Sequence, residues 1–168
     1  MNRGAVDDIC SNIYCVDMIS RPHTGKAIQP NLEEKTFLEL LQTSDWLSRG
    51  LAGLLKQEEL SPTQYNVLRV LRGSPEGLPC GEIARRLITR EPDITRLLDR
   101  MEKRGLISRR RETRDRRTVR TRITDAGLKT VGRLDEPIKQ MHREQLGHLG
   151  RERLNELCRL LREARQEV

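Results

Sequence analysis

The sequence has few aromatic residues, few histidines and no long apolar run. One Trp, one Phe and two Tyr are its only aromatic side chains in 168 residues. A core with so few rings must consist of Leu, Ile and Val, which favours packed helices over an aromatic-rich β-sandwich. No apolar segment approaches the roughly 18 residues needed to span a bilayer, and acidic residues interrupt the apolar N-terminus, unlike a signal peptide. We therefore expect a soluble, cytoplasmic protein with one domain of ordinary size and an extension.

The sequence also lacks the residue patterns of catalytic and metal sites. Its four cysteines are widely spread and include no C-x-x-C pair, which favours reduced thiols over a disulfide framework. Cys158 occupies an apolar helical position and is predicted to be a small core residue. No histidine stands in a triad-like or dyad-like arrangement, and the spacing of His142 and His148 does not place them on one helix face. With no glycine-rich phosphate loop, the sequence predicts no enzyme, no metal site and no cofactor.

Positive charge is concentrated in the middle of the chain. Residues 61–125 hold 17 basic and 9 acidic side chains, a net charge of +8, whereas residues 1–60 carry −3 and residues 126–168 carry +2. Residues 109–122 alone contain eight arginines and two acids. A focused basic patch attracts a polyanion, and arginine favours bidentate contacts with phosphate and guanine. A solvated run of charges is the alternative interpretation.

Apolar residues at helical spacing predict most of the chain to be helical. Ser61-Pro62-Thr63-Gln64 is a capping box with proline at the first helical position. Gly105 follows two basic residues and is placed to end a helix as its C′ glycine, and Pro137 is expected to kink another helix. The predicted helices cover residues 5–19, Leu32–Lys56, the stretch between Ser61 and Gly73, Gly81–Leu87, Glu91–Arg104, a segment that begins at Thr124-Asp125, and Arg151–Arg165.

The periodicity changes to that of β-strands after Gly105. Leu106–Arg109 and Thr118–Ile123 are predicted to be two short strands around the charged loop Glu112–Arg117. Three compact helices followed by a hairpin form a winged helix-turn-helix. The predicted fold class is therefore mainly α (α+β), a winged helix-turn-helix domain with N- and C-terminal dimerisation helices. In this arrangement a helix enters the DNA major groove, and the basic hairpin reaches the adjacent minor groove.

The segment Glu91–Arg104 is the predicted recognition helix. The side chains opposite its apolar stripe point outward, toward bases or phosphates, and they are Asp93, Thr95, Arg96 and Arg100. The arginine-rich wing suits a narrow minor groove, where negative potential is concentrated. The candidate wing residues are Arg110, Arg114, Asp115, Arg116 and Arg117.

Five segments in this order resemble MarR-type transcriptional regulators: LSPTQYNVLRVL, GEIARRL, PDITRLLDRMEKRGLISRR, the wing RDRRTVRTRITDAG, and LGRERLNELCRLLREA. The resemblance covers about residues 32–165 and is sharpest in ITRLLDRMEKRGLI and in the Asp-x-Arg of the wing. It implies that Asp115 braces the wing and that Arg117 enters the minor groove. It also implies phosphate contacts from Arg114 and Arg116 and a recognition-helix role for Arg96, with its neighbours setting base preference.

The resemblance further implies a homodimer, whose interface is formed by Leu32–Lys56 and Arg151–Arg165. Both helices contain more leucine than a small monomeric domain needs, in agreement with this implication. Two copies place their recognition helices about one DNA turn apart, which predicts a pseudo-palindromic operator in double-stranded DNA. We expect a DNA-binding lobe over residues 61–124 and a helical dimerisation region over residues 31–60 and 125–168. The role of the extension, residues 1–30, is open.

The sequence is compatible with two regulatory signals, a small effector and thiol oxidation. The resemblance implies a small aromatic or phenolic effector, and Trp46 and Tyr65 are candidates to line its pocket, although ordinary core packing is the simpler prediction. Thiol sensing is the rival, since the family includes peroxide-sensing repressors. Its candidates are Cys10, Cys15 and Cys80, the last of which precedes a helix whose dipole favours a thiolate. The main prediction is a sequence-specific repressor released by an effector, and a winged-helix module that binds an acidic protein is the alternative.

Overall fold

The computed structural model describes residues 31–111 and 119–165. Within these residues it contains six α-helices, one 3₁₀ turn and three short strands. In chain order they are α1 (Leu32–Lys56), α2 (Pro62–Arg72), β1 (Leu78–Pro79), α3 (Cys80–Arg86), α4 (Ile94–Lys103), β2 (Ile107–Arg111), β3 (Val119–Ile123), α5 (Asp125–Leu146), the 3₁₀ turn (Gly147–Leu149) and α6 (Gly150–Glu163). The predicted mainly α (α+β) winged helix-turn-helix fold is confirmed, and the dimerisation role of its terminal helices stays a prediction. The helix predicted over residues 5–19 lies outside the described residues.

The chain divides into two units, with the boundary between Leu40 and Leu41. The described part of the first unit is the beginning of α1, where the Asn31 side chain accepts a hydrogen bond from the Glu34 backbone N–H at 2.8 Å. The second unit contains the rest of α1, all the other described helices and the sheet. No helix in the described ranges has the length and apolar character needed to cross a membrane.

Helix α2 begins at the predicted capping box. The Ser61 hydroxyl accepts a hydrogen bond from the Gln64 backbone N–H at 3.2 Å, and the Gln64 side chain accepts one from the Ser61 backbone N–H at 2.9 Å. Pro62 occupies the first helical position, where a missing N–H costs nothing. The helix buries one apolar face, which consists of Tyr65, Val67, Leu68 and Leu71.

Helix α4 begins at Ile94, later than the predicted start at Glu91. The reason is local, because the Asp93 side chain accepts a hydrogen bond from the Arg96 backbone N–H at 3.2 Å and so occupies the N-cap position. Gly105 ends the helix as predicted, with φ of 72°. Backbone hydrogen bonds from Gly105 to Glu102 and from Leu106 to Met101 complete a Schellman motif.

The sheet is antiparallel and has the strand order β1-β3-β2. The hairpin of β2 and β3 pairs in register from Ile107 opposite Ile123 to Arg111 opposite Val119. Strand β1 is not among the predicted elements, and it adds its two residues to the other edge of β3. A strand of two residues has no periodicity of its own, so only its pairing partner reveals it.

The core lies in the second unit and is built mainly from Leu, Ile, Val and Met side chains of α1 to α5 and of strands β1 and β2. Its fully buried members include Leu55, Leu68, Leu71, Ile83, Leu98, Met101, Ile107 and Val131. The prediction for Cys158 is wrong in a single copy of the chain, because its side chain is exposed on α6. Its helical neighbours Leu157 and Leu160 are also exposed. Helix α5 contains Pro137 and continues past it to Leu146.

Candidate nucleic-acid interface

The outer face of α4 is polar and accessible. Leu97, Leu98 and Met101 bury the opposite face in the core, and this packing directs the four predicted recognition residues outward. Asp93, Thr95, Arg96 and Arg100 are all exposed.

The two arginines on this face, Arg96 and Arg100, differ in their ion pairs. The Arg96 side chain lies 3.3 Å from the Asp93 carboxylate and is 79% exposed, so water largely screens this pair. Arg100 forms no ion pair with the described residues. The Asp93 carboxylate caps α4, and it therefore lies at the helix N-terminus rather than along the outer face.

Strand β2 follows α4 directly and supplies the described part of the wing. Arg110 is exposed and stands opposite Arg120 of β3. Arg120 donates a hydrogen bond to the Gly77 carbonyl at 3.0 Å, and Arg122 donates one to the Glu76 carbonyl at 3.1 Å. These two arginines therefore tie β3 to the turn before β1. The predicted wing residues Arg114, Asp115, Arg116 and Arg117 lie outside the described residues.

Arg109 is a structural residue of this surface that the sequence analysis did not single out. Its guanidinium lies 2.5 Å from Asp99 and 2.7 Å from Glu102, both on α4. The hydrogen bond with Glu102 raises the pKa of Arg109 above its usual value. Two signals in the sequence point to this role: Arg109 alternates with the apolar Ile107 along β2, and the two acids are one helical turn apart.

A second polar cluster joins the end of α4 to the end of α1. Arg104 donates hydrogen bonds to the backbone carbonyls of Glu59 at 2.7 Å and Glu58 at 3.3 Å. The Glu58 carboxylate accepts two hydrogen bonds from Arg133 of α5, at 2.8 and 2.6 Å. This contact with Arg133 lowers the pKa of Glu58 below its usual range. The cluster attaches the C-terminus of α4 to the turn after α1 and to α5, all within the second unit.

The candidate residues of the effector pocket and of thiol sensing differ in their burial. Tyr65 is 5% exposed and belongs to the core, and burial raises the pKa of its hydroxyl. Trp46 is 47% exposed, so the simpler prediction of core packing is wrong for it in a single copy of the chain. Cys80 is half-buried at the first position of α3, and Cys10 and Cys15 lie outside the described residues.

Comparison with known proteins finds similarity to transcriptional regulators of the MarR family. A family model described as the MarR family matches residues 60–119. The crystal structure of a MarR transcription factor from Planctomyces limnophilus is 44% identical, with a TM-score of 0.62, over 80% of this chain and 98% of that chain. The homoprotocatechuate degradative operon repressor of Escherichia coli is 25% identical over 132 residues, 79% of this chain and 88% of its own length.

A more distant structural match concerns ligand regulation. Bordetella bronchiseptica BpsR, whose DNA binding is regulated by 6-hydroxynicotinic acid, is 17% identical. Its structure matches with a TM-score of 0.73 over 83% of this chain and 99% of that chain. At this level of identity the match shows a shared fold.

Proposed function

Because this chain belongs to the MarR family and is a DNA-binding transcriptional regulator, we propose that it is a homodimeric repressor released from its operator by a small effector. The observation that carries the proposal is the polar outer face of α4 beside the basic strand β2, both held in one compact unit. An α-helix fits the major groove of B-DNA, and a basic ribbon next to it suits the flanking minor groove.

The charges on this surface support DNA as the partner. Arg96 and Arg100 project from α4, and Arg110 projects from β2. Because Arg100 and Arg110 form no ion pair with the described residues, binding a phosphate would not require breaking an ion pair with any of those residues. Arginine at such positions binds phosphates and guanine bases with two parallel hydrogen bonds. We propose Arg96 and Arg100 as base or phosphate contacts, with Thr95 contributing to base preference.

The four wing residues outside the described ranges complete the proposal. From the family resemblance, we propose that Arg117 enters the minor groove and that Arg114 and Arg116 bind phosphates. Asp115 would brace the wing from within the arginine cluster. The proposal for these residues depends on the Asp-x-Arg motif in the sequence.

Exposed apolar side chains support the dimer. In the second unit, Leu41 and Trp46 on α1 are 44% and 47% exposed, and Leu160 on α6 is 48% exposed. Contact of such side chains with water is unfavourable in a monomer, whereas a two-fold interface along α1 and α6 would cover much of this apolar surface. We propose that α1 and α6 form this interface and present two recognition helices to half-sites about one DNA turn apart.

The effector is proposed to be a small aromatic or phenolic acid. BpsR provides one supporting relative, since its DNA binding is regulated by an aromatic acid. The exposed ring of Trp46 offers an apolar face near the proposed dimer interface, whereas Tyr65 is occupied in the core. Release would follow if the effector favours a dimer whose recognition helices have the wrong separation for the operator.

The proposed function is tested by fluorescence anisotropy with DNA from upstream of the protein's own gene and with a scrambled duplex, each over a range of salt concentrations. We expect tight binding to the upstream DNA only, and its loss on addition of the correct aromatic acid. The Arg117→Ala variant should reduce the slope of log K against log[salt] by about one. The Arg96→Ala variant should instead reduce the preference between the two duplexes. Equal and weak binding of both duplexes by the unmodified protein would contradict the proposal.

A further inference from the structure

We infer that Arg109 is a positioning residue, which sets the orientation of α4 relative to the wing through Asp99 and Glu102 and does not itself bind DNA. The inference rests on the proposed function, because it concerns how α4 and the wing reach DNA together. Its basis is the contrast between two neighbouring arginines, Arg109 and Arg110, that the sequence places in one basic run.

The contacts of Arg109 join β2 to α4 at three donor atoms. Its backbone N–H donates to Glu102 at 3.0 Å, its Nε donates to the same carboxylate at 2.8 Å, and its Nη2 donates to Asp99 at 2.5 Å. Glu102 therefore binds both the main chain and the side chain of one strand residue. A two-point attachment of this kind restrains rotation as well as distance.

The charges around Arg109 disfavour a DNA contact. Two carboxylates surround one guanidinium, so this cluster carries net negative charge and repels a phosphate. The Arg109 side chain is 26% exposed, less than its partners Asp99 at 44% and Glu102 at 37%. Turning the guanidinium toward DNA would also leave both acids without their cation.

Strand alternation explains why the neighbour behaves differently. Side chains of successive strand residues point to opposite faces of a sheet. Arg109 shares its face with Ile107, which is 1% exposed and packs in the core. Arg110 lies on the other face, is exposed, and has no ion pair with the described residues. The two arginines thus have equal charge and opposite surroundings.

Asp99 and Glu102, which Arg109 binds, lie on α4 close to the arginines that project from it. The attachment to β2 therefore affects how those arginines are oriented. Asp99 immediately precedes Arg100 and follows Arg96 by one helical turn. A rotation of α4 about its own axis would move both outward arginines relative to the bases. Because ion pairs that are partly exposed contribute little to folding stability, loss of the Arg109 contacts should alter this orientation more than it alters the free energy of unfolding.

The test compares Arg109→Gln with the matched variant Arg110→Gln. Each protein is titrated against two probes: a duplex enriched by the unmodified protein from a randomised library, and a scrambled duplex of the same composition. We expect Arg110→Gln to weaken binding to both duplexes alike and to reduce the salt slope by about one. We expect Arg109→Gln to keep the salt slope and the affinity for scrambled DNA. Its preference for the enriched duplex should fall by about tenfold, an effect similar to that of one mismatched base pair.

A double-mutant cycle separates positioning from general destabilisation. Asp99→Asn should cause the same loss of preference, and the combination with Arg109→Gln should be no worse than either single variant. A merely unstable protein would lose affinity for both duplexes equally, because its active fraction falls. Should Arg109→Gln fail to fold, Arg109→Lys and Glu102→Gln each weaken the attachment and should show the same change in preference.

Two results would overturn the inference. A salt slope reduced by one in Arg109→Gln would make Arg109 a phosphate contact, and an unchanged preference in the folded variants would leave it with no role in recognition. Failure of the unmodified protein to enrich any duplex would instead refute the proposed function. The experiment therefore distinguishes the two failures.

Discussion

Replacement of Gly127 by alanine should destabilise the protein, because the first turn of α5 lies directly on the start of β2. An ideal Cβ at residue 127 would be 2.3 Å from the Leu106 carbonyl oxygen and 2.8 Å from Cγ1 of Ile123. The Leu106 carbonyl accepts a hydrogen bond from the Thr124 backbone N–H at 3.1 Å. The Gly105 carbonyl next to it accepts one from the Thr124 hydroxyl at 2.6 Å. The backbone at this junction is therefore held on both sides and has little room to move.

The size of the effect follows from two opposing contributions. Overpacking a dense site costs about 1–3 kcal/mol and occasionally more. The Gly127 contact is with a backbone oxygen rather than the end of a flexible side chain, so we place its cost near the upper end, about 3 kcal/mol. Alanine has the better helix propensity by about 1 kcal/mol. The net expected loss is about 2 kcal/mol in the free energy of unfolding, or roughly 4–8 °C in Tm.

The assay is urea unfolding followed by circular dichroism, with all proteins at one protomer concentration because dissociation of a dimer contributes to the measured stability. Gly132→Ala is the matched control, since it lies in the same helix, is exposed, and has no atom within 4 Å of the added Cβ. It should be unchanged or more stable by up to about 1 kcal/mol. If Gly127→Ala is as stable as the control, the reasoning from close packing at this junction is refuted.

Two further predictions concern folding stability. Ser61→Ala removes the hydroxyl of the capping box and should destabilise the protein by about 1 kcal/mol in the same assay; an unchanged urea midpoint would show that the cap of α2 is dispensable. The pKa of Glu58 is lower in the folded chain than in the unfolded chain because of Arg133, so the pair stabilises the fold above the usual glutamate pKa of about 4.3, and this contribution is lost as the pH falls through the folded-state value. Glu58→Gln should therefore lose less stability than the unmodified protein on acidification below about pH 4, and parallel curves of urea midpoint against pH would contradict the assignment.

Local signals in the sequence predict most of the helices and strands, and they also predict the start of α2 and the end of α4. The capping box at Ser61 and the C′ glycine at Gly105 both depend on residues within a few positions, and both are confirmed. The start of α4 was predicted too early, because Pro92 and Asp93 each favour a helix N-terminus and only the hydrogen bond from Arg96 decides between them. Strand β1 was missed because its pairing with β3 connects residues far apart in the chain.

The arginine run was predicted as one patch, and the structure divides it. Arg109 faces two acids, Arg120 and Arg122 donate to backbone carbonyls, and Arg110 faces outward. Alternation along a strand shows that neighbours point to opposite faces, but it does not show which face meets the acids of α4. That information comes from the packing of β2 against the helix.

Apolar periodicity also failed to specify what covers an apolar face. Cys158 and Trp46 occupy such faces and were predicted to lie in the core, yet both are exposed in a single copy. A helical stripe of leucines indicates a face that avoids water and is equally compatible with burial inside one chain or between two. The same pattern that made the core prediction wrong therefore supports the proposed dimer.

The pairing of β1 with β3 connects α3, α4 and the three strands into a closed loop rather than a chain of separate parts. Helix α3 begins where β1 ends, α4 leads into β2, and β3 joins both strands. In the proposed dimer, a unit connected in this way would keep α3, α4 and the sheet in one arrangement, and two properties of an operator would then depend on different parts of the protein. The unit would determine the bases within a half-site, and the connection between two copies would determine the distance between half-sites. Under this proposal, a change in one property would leave the other intact, so operators of new sequence and operators of new spacing would be independently accessible from the same fold.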